Sequence, residues 1–300
     1  MLVSEGLRKR YAEVCALEGF DLTVEPGEVV GLIGHNGAGK TTFLEIASGL
    51  TRPDGGRVTV CGLDVTRQPR QVRALLGVAP QELALYPRIT VREHLRLFGR
   101  MAGLRRAALR REVDTVTQEM MLTEQLDRRV AELSGGQRRR AQTAIALIHR
   151  PPVLLLDEPT VGADPATRDA LLAAVRSRAT EGAAVCYTTH YLPELERLRA
   201  SIAIIARGRV VARDTGQRLL AGLPSELRVR LQQPETVAVA ERAGWQLVAD
   251  ELRMSTCTPG PDLAELVGRI GPGDLASVVV RPPTLDDLYQ RLAAGVSDAG

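Results

Sequence analysis

The feature that most constrains this chain is the run Gly34-His35-Asn36-Gly37-Ala38-Gly39-Lys40-Thr41, which fits the pattern G-x-x-x-x-G-K-[ST]. It follows the apolar run Val29–Ile33, expected to be a buried strand, and precedes residues 40–49, which read as a helix ended by glycine. A strand, a glycine-rich turn and a helix in this order let consecutive backbone N–H groups curl around phosphate groups. Glycines are needed there because the turn must reach positive φ and approach the ligand closely. The helix N-terminus adds its positive end. Lys40 offers a compact three-donor charge, and Thr41 a hydroxyl suited to Mg²⁺. Only Lys9 and Lys40 are lysines among 39 basic residues, so the chain spends one where an arginine fork would be too bulky.

A second element is Leu154-Leu155-Leu156-Asp157-Glu158, an apolar run closed by two carboxylates. In an open α/β sheet the C-terminal ends of strands are where ligands bind. Asp157 is the candidate for holding Mg²⁺ through water, and Glu158 for orienting or deprotonating an attacking water. A third element, Leu133-Ser134-Gly135-Gly136-Gln137, precedes a helix expected over 136–149. Ser134 suits an N-cap, and the two glycines bare N–H groups at a helix end, which makes a second anion site.

Around these motifs, strands expected at 22–24, 58–60, 153–156, 184–187 and 202–205 alternate with helices over 167–180 and 192–198. Such alternation predicts an α/β fold with a parallel sheet and helices on both faces. Residues 90–131 differ: Val91, Leu95, Phe98, Met101 and Ala102, then Val113, Val116, Met120 and Met121, recur at helical spacing and predict a helical insert. Beyond Gly216, strands at 227–231, 246–248, 252–254 and 277–280 and helices over 234–243, 263–270 and 284–293 give the order β-α-β-β-α-β of a small ferredoxin-like α+β domain. The expected division is 1–215, with a helical subdomain at about 88–150, and 216–300.

A net charge of +3 lacks the basic stripe of a nucleic-acid binder. The N-terminus has no apolar core of signal-peptide length, and no apolar run approaches the ~18 residues of a membrane span, so a membrane role would come by docking. Cys15, Cys61, Cys186 and Cys257 show no metal-ligand spacing and read as small core residues of a reducing cytoplasm. His94 and His149 read as surface or filler residues, and His35 as a main-chain contact in the glycine loop.

The three motifs in this order resemble those of ABC-type ATPases, with Walker A at the glycine loop, Walker B at Leu154 to Glu158 and the signature at Leu133 to Gln137. The resemblance covers roughly residues 2–214 and implies a P-loop NTPase core with a helical subdomain. It implies that Gly34, His35, Asn36, Gly37, Ala38, Gly39, Lys40, Thr41 and Thr42 hold ATP, and that Tyr11 stacks on adenine. Gln81 looks like the Q-loop glutamine, His190 like the switch histidine at the γ-phosphate, and Asp164 like the D-loop aspartate. Catalysis would then fall to Glu158, His190 and Gln81, and Mg²⁺ to Thr41, Gln81 and Asp157. Ser134, Gly135, Gly136, Gln137 and Asp164 would serve in trans, on the ATP of a second, identical or sister, subunit.

The family's usual pattern is broken twice. Pro193 is expected to interrupt the helix after His190, and Arg199-Ala200-Ser201 lacks the aspartate usual before the next strand. Pro283-Thr284-Leu285-Asp286-Asp287-Leu288-Tyr289 resembles the tail of ATPases serving drug, lipid or polysaccharide exporters. The resemblance thus implies ATP hydrolysis that drives export through a multi-spanning permease, at the cytoplasmic face of the membrane, with no nucleic acid. Three rivals stand beside it. A soluble ABC ATPase of DNA repair or the ribosome would carry a long coiled coil or two cassettes; a P-loop kinase or GTPase would lack the signature; an importer subunit would share the core motifs.

Overall fold

The structure, a computed structural model, describes residues 1–232, 237–284 and 287–288. The chain forms two compact units, the first Met1–Thr215 and the second starting at Gly216.

The first unit opens with β1 (Leu2–Tyr11), β2 (Val14–Val24) and β3 (Val29–Ile33), followed by α1 (Lys40–Ala47), β4 (Gly55–Val60), β5 (Leu63–Asp64), α2 (Pro69–Ala74) and β6 (Leu76–Ala79). The helical insert holds α3 (Val91–Met101), α4 (Arg106–Glu119) and α5 (Gly135–Leu147). Then come β7 (Val153–Asp157), α6 (Pro165–Thr180), β8 (Ala184–Thr188), α7 (Leu192–Leu198), β9 (Ser201–Ala206) and β10 (Arg209–Thr215). β1, β2, β4 and β5 make an antiparallel sheet of order β2-β1-β4-β5. The second sheet has the order β10-β9-β3-β8-β7-β6, parallel except for its antiparallel edge strand β10. β3, β7 and β8 read as continuous apolar runs because both faces of the sheet are covered. The core lies between the sheets, where Leu17 and Phe20 of β2 meet Phe43 and Ile46 of α1, and Phe20 stacks on Phe43 at 4.6 Å.

Packing places the signature helix. At Gly77 of β6 an added Cβ would stand 2.1 Å from the Ala146 carbonyl, so only glycine lets α5 lie this close to the sheet. In the insert Val91, Leu95, Val113, Val116 and Met120 are buried as expected, but Met101 and Met121 are exposed. Met101 ends α3, and Met121 sits in the turn after α4 at φ 51°, so neither lies on a covered helical face. Of the histidines read as surface or filler residues, His94 is fully buried and His149 is half-buried. Of the cysteines only Cys186 is buried; Cys61 occupies the β4–β5 turn at φ 48°, Cys15 lies on edge strand β2, and Cys257 follows the β-ladder of the second unit. Pro193 does not interrupt α7. It stands in the first turn, where its missing N–H costs nothing.

The second unit begins with α8 (Gly216–Leu220) and continues with β11 (Ser225–Leu231), α9 (Val237–Arg242), β12 (Gln246–Val248), β13 (Glu251–Thr256), α10 (Pro259–Ile270) and β14 (Leu275–Arg281). Its sheet is antiparallel, of order β12-β13-β11-β14, over a core of Leu227, Val229, Trp245, Leu252 and Leu266. The start of the helix expected over 234–243 lies outside the described residues, as do Leu285, Asp286 and Tyr289 of the tail and all of the closing helix except Thr284, Asp287 and Leu288. Among the described residues no helix is long and apolar enough to cross a membrane.

Candidate active site

The parallel strands β3, β6, β7 and β8 deliver their C-terminal ends, and the loops that follow, to one edge of the sheet. The glycine loop leaves β3 there. At Gly39, φ is 109° and an added Cβ would stand 2.5 Å from the Ala16 carbonyl, so conformation and space both exclude a side chain. Gly39 is the N-cap of α1 and no side chain caps it, so the first N–H groups of the helix face the loop. Lys40 is buried and donates from Nζ to the carbonyls of Gly34 and His35, the latter at 3.2 Å. Burial pulls the Lys40 pKa down, and the nearby carboxylates of Glu158 and Asp157 push it back up.

The Walker B carboxylates are tied to this loop and to each other's neighbours. Thr41 Oγ1 donates to Asp157 Oδ2 at 3.1 Å, and Thr188 Oγ1 donates to Asp157 Oδ1 at 2.5 Å. Thr188 also accepts the Glu158 N–H at 2.9 Å. Glu158 adopts φ 47°, a left-handed conformation uncommon for a residue other than glycine, which turns the chain sharply after β7. Its Oε2 accepts from Gln81 Nε2 at 3.1 Å and its Oε1 lies 2.6 Å from His190 Nε2. Glu158, Gln81 and His190, from three separate loops, thus meet around one carboxylate.

A cleft of about 500 Å³ is lined by Tyr11, Asn36, Gly37, Gly39, Lys40, Thr41, Thr42, Gln81 and Glu158. Gly34 and Ala38 are buried beneath the loop and His35 is exposed on it. Tyr11 stands at the lip, about half-exposed, with Lys9 Nζ 5.2 Å from its ring centroid. No group of three His, Cys, Asp or Glu that could hold a metal occurs among the described residues. One carboxylate beside one hydroxyl, Asp157 and Thr41, is nevertheless what Mg²⁺ takes when phosphate oxygens and water complete its shell.

The signature and D-loop residues do not join this cleft. Ser134 and Gln137 close on each other: Ser134 Oγ accepts the Gln137 N–H at 3.2 Å, and Gln137 Oε1 accepts the Ser134 N–H at 2.9 Å. Ser134 and Gly135 are exposed. Asp164 is exposed as well and caps α6, accepting from Thr167 N at 2.9 Å and Thr167 Oγ1 at 2.6 Å; those bonds hold its pKa below the usual carboxylate value.

Several residues that hold the site were not picked out from the sequence. From α5, Gln142 donates to the Pro80 and Glu82 carbonyls at 2.6 and 3.1 Å and accepts the Ala84 N–H at 3.2 Å, while Arg139 donates to the Gln81 carbonyl at 2.6 Å. The helix led by the signature therefore grips the loop that carries Gln81. Glu194 of α7, 1% exposed, accepts from Thr160 at 2.7 Å, Tyr187 at 3.0 Å and Thr189 at 2.8 Å, and pairs with Arg168 at 3.2 Å. It ties the segment after Glu158 to the segment before His190. In the sequence each of these looks like an ordinary polar residue on a helix.

The comparisons with known proteins fit this geometry. The protein-family description "ABC transporter" matches residues 17–161. The chain is 42% identical over 303 residues to "Daunorubicin resistance ATP-binding protein DrrA2" of Streptomyces coeruleorubidus, over 96% of this chain and 94% of that one. The chain belongs to the ABC transporter ATP-binding proteins. This ABC ATPase is also 36% identical over 293 residues to "Nod factor export ATP-binding protein I" of Burkholderia pseudomallei, over 95% of this chain and 94% of that one. Among solved structures, one described as "Structure of ATP binding subunit of ABC transporter" matches with a TM-score of 0.70 and 32% identity, covering 73% of this chain and 91% of that one. A dimeric ATP-binding cassette bound to ADP and Pi shares the fold, with a TM-score of 0.66 and 24% identity over 72% of this chain and 98% of that one. The ABC ATPase binds and hydrolyses ATP, the activity of its family.

Proposed function

We propose that this ABC ATPase powers export through a separate multi-spanning permease, working as a head-to-tail pair of ATPase subunits at the cytoplasmic face of the membrane. The names of the relatives, drug resistance and Nod factor export, support the export direction. The observation that carries the pairing is that the Ser134 loop is exposed and absent from the lining of the cleft around Lys40, so its bared N–H groups are free for a nucleotide held by another chain. In this reading the glycine loop and Thr42 hold the triphosphate, Lys40 contacts its β- and γ-oxygens, and Tyr11 stacks on the base. Asp157, Thr41 and Gln81 would hold Mg²⁺, which when bound neutralises phosphate charge. Glu158 orients water and accepts its proton, while His190 contacts the γ-phosphate and stays oriented by Glu158.

Nucleotide binds the closed pair better than the open one and so drives closure. The grip of Arg139 and Gln142 on the Gln81 loop carries that motion to the helical insert and the permease. The second unit serves as an accessory domain. The soluble alternative is not favoured, because α3 and α4 are short helices where such proteins carry a long coiled coil. Lys40→Ala is expected to abolish nucleotide binding measured by calorimetry, and the wild-type chain to copurify from detergent extracts with a protein rich in apolar twenty-residue segments. Retained binding, or a chain that fractionates alone, would contradict the respective part.

A further inference from the structure

The helical insert carries a charge pattern that the ATP chemistry leaves unused. Eight arginines and one carboxylate, Glu93, stand between residues 88 and 111 of a chain whose net charge is only +3. Arg92, Arg96 and Arg100 recur every fourth residue and so share one face of α3. Across a cleft of about 920 Å³ they meet Arg105, Arg106 and Arg110 at the start of α4. The buried side chains of Leu109 and Val113 line the same cleft, and Asp114 is its one carboxylate.

Some arginines of the first unit find carboxylates, as Arg150 does with Glu112 and Glu181. Here Arg92 is held by Asp127 at 2.6 and 2.8 Å, and Arg96 only feels that same charge at longer range. The guanidinium groups of Arg100, Arg105, Arg106 and Arg110 make no ion pair or hydrogen bond among the described residues, and all four are exposed. Like charges gathered around a cleft repel one another unless an anion sits among them. Leu97 and Met101, one residue beyond Arg96 and Arg100, are 40% and 73% exposed. Cations interleaved with outward apolar side chains make a surface suited to the boundary between head groups and acyl chains.

We propose that this arginine cleft binds the phosphate head groups of anionic phospholipids and seats the helical insert on the membrane surface. The inference rests on the reading that the chain serves a membrane permease. The chemistry is that of guanidinium forks on phosphate oxygens, which free phosphate shares. Leu97 and Met101 single out the lipid, because a free anion has no use for them. An acidic protein segment is the competing occupant, and the vesicle assay below separates the two.

The test is cosedimentation of the full chain with vesicles of phosphatidylcholine alone or in equal mixture with phosphatidylglycerol, with ATP turnover followed in the same samples as a check on folding. The wild type is expected to bind only the mixed vesicles, and less as salt rises. An arginine at an anionic surface is worth about fivefold, so R100Q/R106Q/R110Q is expected to bind about a hundredfold more weakly with turnover unchanged. L97S/M101S is expected to weaken vesicle binding as well. Binding indifferent to phosphatidylglycerol, or untouched by the arginine substitutions, overturns the proposal. So does binding to inorganic phosphate or polyglutamate without binding to vesicles, which would assign the cleft to a free anion or an acidic segment. The vesicles hold no permease, so such a failure leaves the transport reading to its own copurification test.

Discussion

Two glycine-lined helix starts in this chain are built in opposite ways. At α1 the N-cap is Gly39, without a side-chain cap, and the polar groups around it bond across loops from four strands. At α5 the N-cap is Ser134, and its capping box with Gln137 takes up the N–H groups of those two residues and leaves those of Gly135 and Gly136. The first end is held by Lys40 on the Gly34 and His35 carbonyls and by Thr41 on Asp157, and its N–H groups stay open to an anion. The second keeps its shape alone, and so can stand exposed on a surface. The proposed division of labour matches the hydrogen bonds: side chains from many elements converge at the end proposed for chemistry, and the end proposed to meet another chain's ligand needs no neighbours.

That comparison breaks first at its chemical half. Glu158→Gln keeps the shape of the side chain but cannot take a proton, so turnover is expected to fall about a thousandfold, or about 4 kcal/mol, while ATP still binds. Wild-type turnover in single-turnover assays would remove Glu158 from its role. The next effect is structural. Glu194 is a buried carboxylate paired with Arg168, so Glu194→Gln is expected to cost about 3 kcal/mol in urea unfolding. It should slow turnover as well, because the amide keeps only one acceptor oxygen, so either Thr160 or Thr189 loses its partner. The exposed pair Arg57–Glu5 provides the contrast, and Glu5→Gln there should leave the urea midpoint close to that of the wild type.

What was legible in the sequence follows the same division. The glycine loop, the carboxylate pair and the signature are contiguous strings, since each is one backbone turn with fixed residue needs, and the alternation of strands and helices around them gave the α/β core. Glu194 has no string. Its partners Thr160 and Tyr187 are 34 and 7 residues away, and only folding makes it more than a charge on an amphipathic helix. Thr188 and Gln142 are hidden for the same reason, their partners lying 31 and about 60 residues off. Of the β1–β2 hairpin only the end at 22–24 was legible, because register shifts after Ser4 and Leu7 break the simple alternation that marks a strand. Met101 and Met121 show the converse: periodicity found the helices, but whether a helix end is covered depends on what packs there.

His94 sharpens the comparison on the side of the Gln81 loop, because it anchors the segment running from that loop into α3. Its Nε2 accepts the Tyr86 N–H at 2.9 Å and its Nδ1 faces the Thr90 carbonyl at 3.0 Å, which only a neutral ring protonated on Nδ1 satisfies. Burial lowers its pKa from 6.5, against smaller upward pulls from Thr90 and Glu93. The unfolded chain therefore takes up the proton first as pH falls. Stability is kept above about pH 6.5 and declines below it, by no more than ~1.4 kcal/mol per pH unit, until the folded ring also protonates. His149 is lowered by burial too and adds to the slope. Urea midpoints on either side of that pH are expected to differ more for the wild type than for His94→Gln; equal differences would show that His94 titrates alike in both states.

A single helix cap tests the outward half-site. Ser134→Ala removes one N-cap acceptor, that of the Gln137 N–H, and should cost about 1 kcal/mol in the isolated chain. Nothing in the cleft around Lys40 touches Ser134, so ATP binding by a single chain should not change. In a Glu158→Gln background, where ATP is bound and not turned over, the chain is expected to run as a dimer on gel filtration. Adding Ser134→Ala should return it to a monomer that still carries nucleotide. A dimer that persists would mean that the exposed loop is only a well-capped helix end, and that the two glycine-lined starts differ in construction without being two halves of one site.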